Sequence, residues 1–144
     1  MVRVTAIAAI LIFMAIVSGA QELVAGKDGS IRNVDTRALI TDSGETYLAT
    51  RNEVYRATGE RGRWESVFAL PPGENEITSL AGDARTVFAG SRRGLYRSVD
   101  SGRTWKIVFR ALIPEKSHVL CIDASCLAMG KVIIGTGKGI YASN

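Results

Sequence analysis

The sequence predicts an all-β chain of repeated four-stranded antiparallel units. Three observations lead there. Matched segments recur along the chain, each is built of short runs rich in β-branched and aromatic residues, and glycine- or proline-bearing turns separate those runs.

The recurrence appears when the chain is laid against itself. TYLATRNEVYRAT (residues 46–58), TVFAGSRRGLYRS (86–98) and KVIIGTGKGIYAS (131–143) match one another. Their tyrosines, Tyr55, Tyr96 and Tyr141, lie 41 and 45 residues apart, and Trp64 and Trp105 repeat the 41-residue spacing. A period of about 40–45 residues made of short strands is that of a β-propeller blade, whereas a helical repeat would show apolar residues at a period of about 3.6. The expected fold is therefore all-β: β-propeller blades of four-stranded antiparallel sheets, spanning residues 34–70, 77–111 and 118–144. That amounts to about two and three quarter blades, an incomplete ring, since propellers close with about 4–8.

In the first unit the strands read 38–41, 46–50, 53–56 and 64–68. In the second they read 77–82, 86–91, 94–98 and 105–110, with Arg92-Arg93-Gly94 turning the chain because glycine tolerates positive φ. The third supplies 119–122, 131–134 and 139–141, and no fourth. Pro71, Pro72 and Pro114 fall between units, where proline removes no ladder hydrogen bond.

Residues 1–20 stand apart. One early charge, Arg3, precedes an almost wholly apolar run that ends in Ser18-Gly19-Ala20, the layout of a secretory signal peptide cleaved after Ala20. The alternative is an uncleaved helical anchor, because an apolar run of about 17–20 residues just spans a bilayer. Either way the blades are expected outside the cytoplasm, in the periplasm or secreted. Residues 21–33 form a linker or a stray strand.

Without residues 1–20 the chain keeps 17 basic and 14 acidic residues, a mild excess that solvated surface accounts for. The arginines are scattered through turns with no aromatic interleaving, so no nucleic-acid partner is expected. Contact with a membrane is expected only through an uncleaved N-terminal anchor. Cys121 and Cys126 are five apart: either a disulfide of an oxidising compartment or two small buried thiols. Their spacing without a second pair is no zinc signature, and His118 is the only histidine. No metal site, cofactor site or catalytic residue is expected.

The densest cluster of polar chemistry is SVDSGRTW (98–105), between the third and fourth strands of the second unit. Each residue has a task that needs no substrate. Asp100 accepts turn N–H groups, Gly102 takes the left-handed backbone, Ser98 and Thr104 bond across the base of the turn, and Trp105 covers it. With the preceding AGSRRGLYRS (89–98), the pattern Ser98-x-Asp100-x-Gly102-x-Thr104-Trp105 resembles the Asp-box, or bacterial neuraminidase repeat, of exported propellers, including those akin to photosystem II stability and assembly factors. The first unit keeps Gly62 and Trp64 as a degenerate box, with Glu60 near the aspartate position. The third stops at Ser143-Asn144, one residue short of the expected aspartate, which suggests a shortened piece of a longer reading frame.

The resemblance implies a fold that hosts many activities. Its sialidase-type members use an arginine triad and a tyrosine nucleophile with a glutamate partner, but no Arg-Ile-Pro-like segment occurs here and three of the tyrosines occupy one repeated position. The expected function is a noncatalytic exported propeller segment serving as an interaction or assembly platform; the alternative is a fragment of a sialidase-type glycoside hydrolase. The partner is an unidentified protein or glycan, met at the exposed turns of Arg51, Arg92 and Arg93, or further copies of the chain that complete a ring.

Overall fold

A computed structural model describes residues 23–25, 31–33, 36–42, 45–58, 63–74 and 76–143. The expected signal helix (1–20) and Gly62 lie outside the described residues. Strands β1 (Leu23–Ala25) and β2 (Ile31–Asn33) form a small antiparallel hairpin. The rest is three successive antiparallel meanders, each called a blade below.

The first blade runs β3 (Ala38–Asp42), β4 (Glu45–Ala49), β5 (Glu53–Thr58) and β6 (Arg63–Ala69), in that order across the sheet. The second runs β7 (Ile77–Gly82), β8 (Val87–Ser91), β9 (Gly94–Ser98) and β10 (Lys106–Phe109). The third has β11 (Val119–Asp123), β12 (Ile133–Thr136) and β13 (Gly139–Ala142). Helix is confined to two single 3-10 turns, Pro114–Lys116 and Leu127–Met129. Every pairing is antiparallel between neighbours in sequence, and the three sheets remain separate, with no closure into a barrel among the described residues.

The first strands of the blades, β3, β7 and β11, lie side by side. Bonds also join the blades: Ile77 N–H on β7 donates to Arg51 O in the β4–β5 turn at 2.7 Å, and the Thr78 hydroxyl on β7 donates to Val119 O on β11. Burial follows from this order. β8 is buried at every position, because blades flank it on both faces, while β10 at the outside of its sheet is largely exposed. The close flanking explains the small residues of VFAGS: a Cβ on Gly90 would lie 2.8 Å from Val119 Cγ1.

Two apolar cores fill the two gaps between blades. Tyr47, Val54, Ile77, Val87 and Tyr96 are buried between the first and second blades, with Phe68 and Trp105 packed against them. Phe88, Leu95, Val119, Val132 and Ile134 are buried between the second and third, with Phe109 and Tyr141 alongside. The aromatic pairs repeat too. Phe68 meets Tyr96 at 4.9 Å and 50°, and Phe109 meets Tyr141 at 4.9 Å and 52°.

Two expectations need correction. Cys121 and Cys126 are neither bridged nor buried: both are free and exposed, because β11 ends at Asp123 and the following turn carries Cys126 outward. The second strand of the third blade starts two residues late, at Ile133, since the 3-10 turn at Leu127–Met129 and left-handed Gly130 deliver the chain there. Val132 still pairs, accepting from Ser143 N–H at 2.9 Å.

Candidate functional site

Residues 98–105 connect β9 to β10, and their polar groups bond to one another. Ser98 ends β9 and is 1% exposed. Its Oγ donates to Asp100 Oδ1 at 2.8 Å and accepts the Gly102 N–H at 2.9 Å. Asp100 Oδ1 also accepts the Thr104 N–H at 2.8 Å, and Oδ2 accepts the Thr104 hydroxyl at 2.6 Å. Trp105 Nε1 donates to Gly102 O at 3.0 Å. Ser101 and Gly102 are both left-handed, at φ 57° and 84°. The division of labour differs from expectation in one respect: the serine, rather than the aspartate, takes the buried Gly102 amide.

These bonds set the charge state. The Thr104 hydroxyl and backbone N–H, with the Ser98 hydroxyl, favour ionised Asp100 and bring its pKa down from 3.8 to about 2. A carboxylate held ionised by three donors is a poor proton acceptor at neutral pH. Its oxygens face the turn's own donors.

The preceding blade grips this turn. Arg56 on β5 donates from Nη1 to Ser101 O at 2.7 Å, and Phe68 on β6 stacks on Trp105 with centroids 4.7 Å apart and planes at 30°. A Cβ on Gly102 would lie 3.1 Å from Val67 Cβ. Within its own blade, Arg85 O accepts the Ser101 N–H at 2.9 Å. Sequence reasoning missed Arg56. Its signal was available in the repeat, because an arginine follows the tyrosine in two units (Arg56, Arg97).

A second cluster, also missed, surrounds Glu74 and Glu76 in the link between the first two blades. Tyr96 Oη donates to Glu74 Oε2 at 2.7 Å, and Arg110 pairs with the same carboxylate. Burial first, then the hydrogen bond to Glu74, raises the Tyr96 pKa from 10 to about 12. Tyr55, one repeat earlier, is raised to about 12 in the same way, by burial and then Glu53. Glu76 pairs with Arg92 and lies 3.5 Å from Arg37; the bond from Arg92 draws its pKa down.

Of the arginines picked out as exposed turns, Arg92 is thus tied to Glu76, while Arg51 and Arg93 lend backbone carbonyls to Ile77 N–H and Arg110 Nε. All three are exposed. Trp64 sits half-buried on β6, paired with Ala57. Among the described residues, no group of three or more His, Cys, Asp or Glu could hold a metal ion. No helix among them is long and apolar enough to cross a membrane.

Two solved structures are similar to the chain, both described as the extracellular domain of BT4673 from B. thetaiotaomicron, a two-component system in one case and a one-component system in the other. The first has a TM-score of 0.62 at 21% identity and the second 0.60 at 20%. Each match covers 77% of this chain and 15% of the solved one, so the chain spans about 15% of the length of the structures it matches. At that identity the likeness concerns the fold. No protein-family model and no curated protein matches.

Proposed function

We propose that the chain is a noncatalytic segment of propeller type, working outside the cytoplasm as a platform for protein interaction or assembly, and that residues 98–105 are an Asp-box of the bacterial neuraminidase repeat kind. One observation carries this reading: the hydroxyls of Ser98 and Thr104, the Asp100 carboxylate and the Trp105 indole N–H are spent on holding the turn. The similarity to extracellular domains supports the location.

The glycosidase alternative has one feature in its favour, the Tyr96–Glu74–Arg110 cluster, since some glycosidases use a tyrosine nucleophile. Its chemistry runs the other way. An activated phenol has a lowered pKa, whereas Tyr96 is raised to about 12, is 6% exposed and packs in the core. Arg37, Arg56, Arg92 and Arg110 are each engaged in an ion pair rather than converging on an open carboxylate site.

The test has two arms. A fluorogenic sialoside incubated with the purified chain should give no release above buffer, and turnover lost in Tyr96→Phe would overturn the reading. Binding to immobilised glycans and to extracytoplasmic proteins, native chain against Arg93→Glu and Arg51→Glu, should show a partner lost on charge reversal. Binding indifferent to both changes moves the contact surface away from these turns.

A further inference from the structure

The links between blades and the turns between second and third strands gather at one end of the array. Arg51 O in the β4–β5 turn accepts from Ile77 N–H, Arg92 N–H in the β8–β9 turn donates to Glu76 O at 3.3 Å, and Gly137 N–H in the β12–β13 turn donates to His118 O at 3.3 Å. The 98–105 turn lies at the opposite end, on Arg85 in the β7–β8 turn.

The second link, residues 110–118, holds a loop outward. Ser117 is 2% exposed and closes its base: the hydroxyl accepts the Ala111 N–H at 2.9 Å and donates to Ala111 O at 3.2 Å. Within the loop Lys116 N–H donates to Ile113 O at 3.0 Å and Ser117 N–H to Pro114 O at 2.9 Å. Between these anchors Leu112 is fully exposed and Ile113 is 49% exposed; no large apolar side chain among the described residues is more exposed than Leu112. The blades on both sides of this link are present. The positions 41 residues earlier, Pro71 and Pro72, are exposed as well, although the second and third blades both follow them. Exposure here therefore belongs to the position in the fold.

The charge around the loop has one sign at the surface. Arg51, Arg92, Arg93, Arg110, Lys116 and Lys138 are exposed. Glu74 and Glu76 lie beneath: their side chains are 7% and 14% exposed, against 52% and 55% for their partners Arg110 and Arg92. Glu53 is half-buried and accepts the Ser66 hydroxyl, and Glu115 is the acid within the loop sequence.

We propose that this end of the array rests on an anionic phospholipid bilayer, with Leu112 and Ile113 entering the headgroup layer and Arg93, Arg110, Lys116 and Lys138 meeting lipid phosphates. Apolar insertion joined to attraction for anionic lipid is the physics of interfacial binding. Two apolar side chains on a convex loop suit a deformable surface, whereas a protein partner needs a matching hollow and a total of about 1,200 Å² or more. The inference goes beyond the platform reading and needs no N-terminal anchor.

The probe is a vesicle of equimolar phosphatidylcholine and phosphatidylglycerol, with phosphatidylcholine alone as reference. The reporter is Leu112→Trp in the full chain, a fully exposed position whose change leaves folding intact, with the native chain run in parallel to subtract Trp64 and Trp105. On anionic vesicles the added indole should shift to shorter wavelength and be quenched by brominated acyl chains. On phosphatidylcholine alone the response should be at least about tenfold weaker, since each cation near an anionic surface is worth about fivefold in affinity. Lys116→Glu combined with Lys138→Glu should weaken the anionic response by more than about tenfold on the same scale, and salt should weaken it too. Leu112→Asp, read through Ile113→Trp, should abolish it. An apolar amino terminus that inserts by itself carries every variant to both lipids alike and does not create this pattern.

The proposal is overturned by an indole that stays in water on anionic vesicles. It is equally overturned by a shift of the same size on both lipids that survives the two lysine reversals. A dimer that Leu112→Asp dissolves, or a protein bound through Leu112 without any vesicle response, assigns the loop to a different occupant and overturns it as well. Failure here leaves the platform reading standing, because that reading is tested at Arg51 and Arg93 with no lipid present.

Discussion

Replacing Ser98 by alanine isolates the group that holds the 98–105 turn together. The hydroxyl makes two short bonds, to Asp100 Oδ1 at 2.8 Å and from Gly102 N at 2.9 Å, and a third at 3.4 Å from Asp100 N, too long to contribute much. Asp100 borders solvent and recovers a water when the serine is lost. Gly102 N–H does not, because the residue is buried beneath Val67. The cost is therefore that of one stranded buried donor, about 1–3 kcal/mol. At about 3–5 °C per kcal/mol for a chain of this size, Tm should fall by about 3–15 °C. Circular dichroism melts of the native and Ser98→Ala chains make the measurement. A double variant with Asp100→Ala should lose less than the sum of the singles, since the two residues share a bond. A fall of less than about 2 °C, or strict additivity, would refute the claim that this hydroxyl organises the turn.

Three further outcomes follow from the same geometry. The stability that ionised Asp100 contributes is present above its unfolded pKa and lost as pH falls through its folded one, so the Tm gap between native and Asp100→Ala chains should hold at neutral pH and close between pH 3.8 and about 2. Gly102→Ala should cost about 1–3 kcal/mol from its left-handed φ of 84°, with part recovered in Val67→Ala if the 3.1 Å contact adds to the strain, as denaturant melts would show. Tyr55 and Tyr96 should titrate near pH 12 by absorbance at 295 nm, and the stability they confer, whole below pH 10, should disappear as pH rises from 10 to about 12; Tyr96→Phe should remove one late-titrating phenol, with Tyr55 and Tyr47, also raised by burial, remaining.

The repeat made the blades legible. Tyr55, Tyr96 and Tyr141 fix the third strand of each unit, and once those are aligned the alternation of short apolar runs and glycine turns fixes its neighbours, so the strands of the second blade lie within a residue of expectation at Ile77–Gly82, Val87–Ser91 and Gly94–Ser98. The turn chemistry was legible for the same reason: Ser98, Asp100 and Thr104 bond within a span of seven residues. What lay hidden acts over longer separations. Arg56 reaches Ser101 across 45 residues and Arg110 reaches Glu74 across 36, pairings set by how blades stack rather than by any local pattern. The cysteines were misjudged because spacing on a strand says nothing about the turn that follows.

The grip of Arg56, Val67 and Phe68 on the next blade's turn gives the array a polarity. The first blade lends its third and fourth strands to the turn of the second, so the coupling between these neighbours is asymmetric, as between links that hook in one direction. In a chain whose units interact only with neighbours, stability is a sum of unit and interface contributions. Damage to residues 98–105 should therefore be felt backwards, as faster amide exchange along β5 and β6, while β11 to β13 keep their protection. Unravelling would then travel toward the amino terminus more readily than away from it.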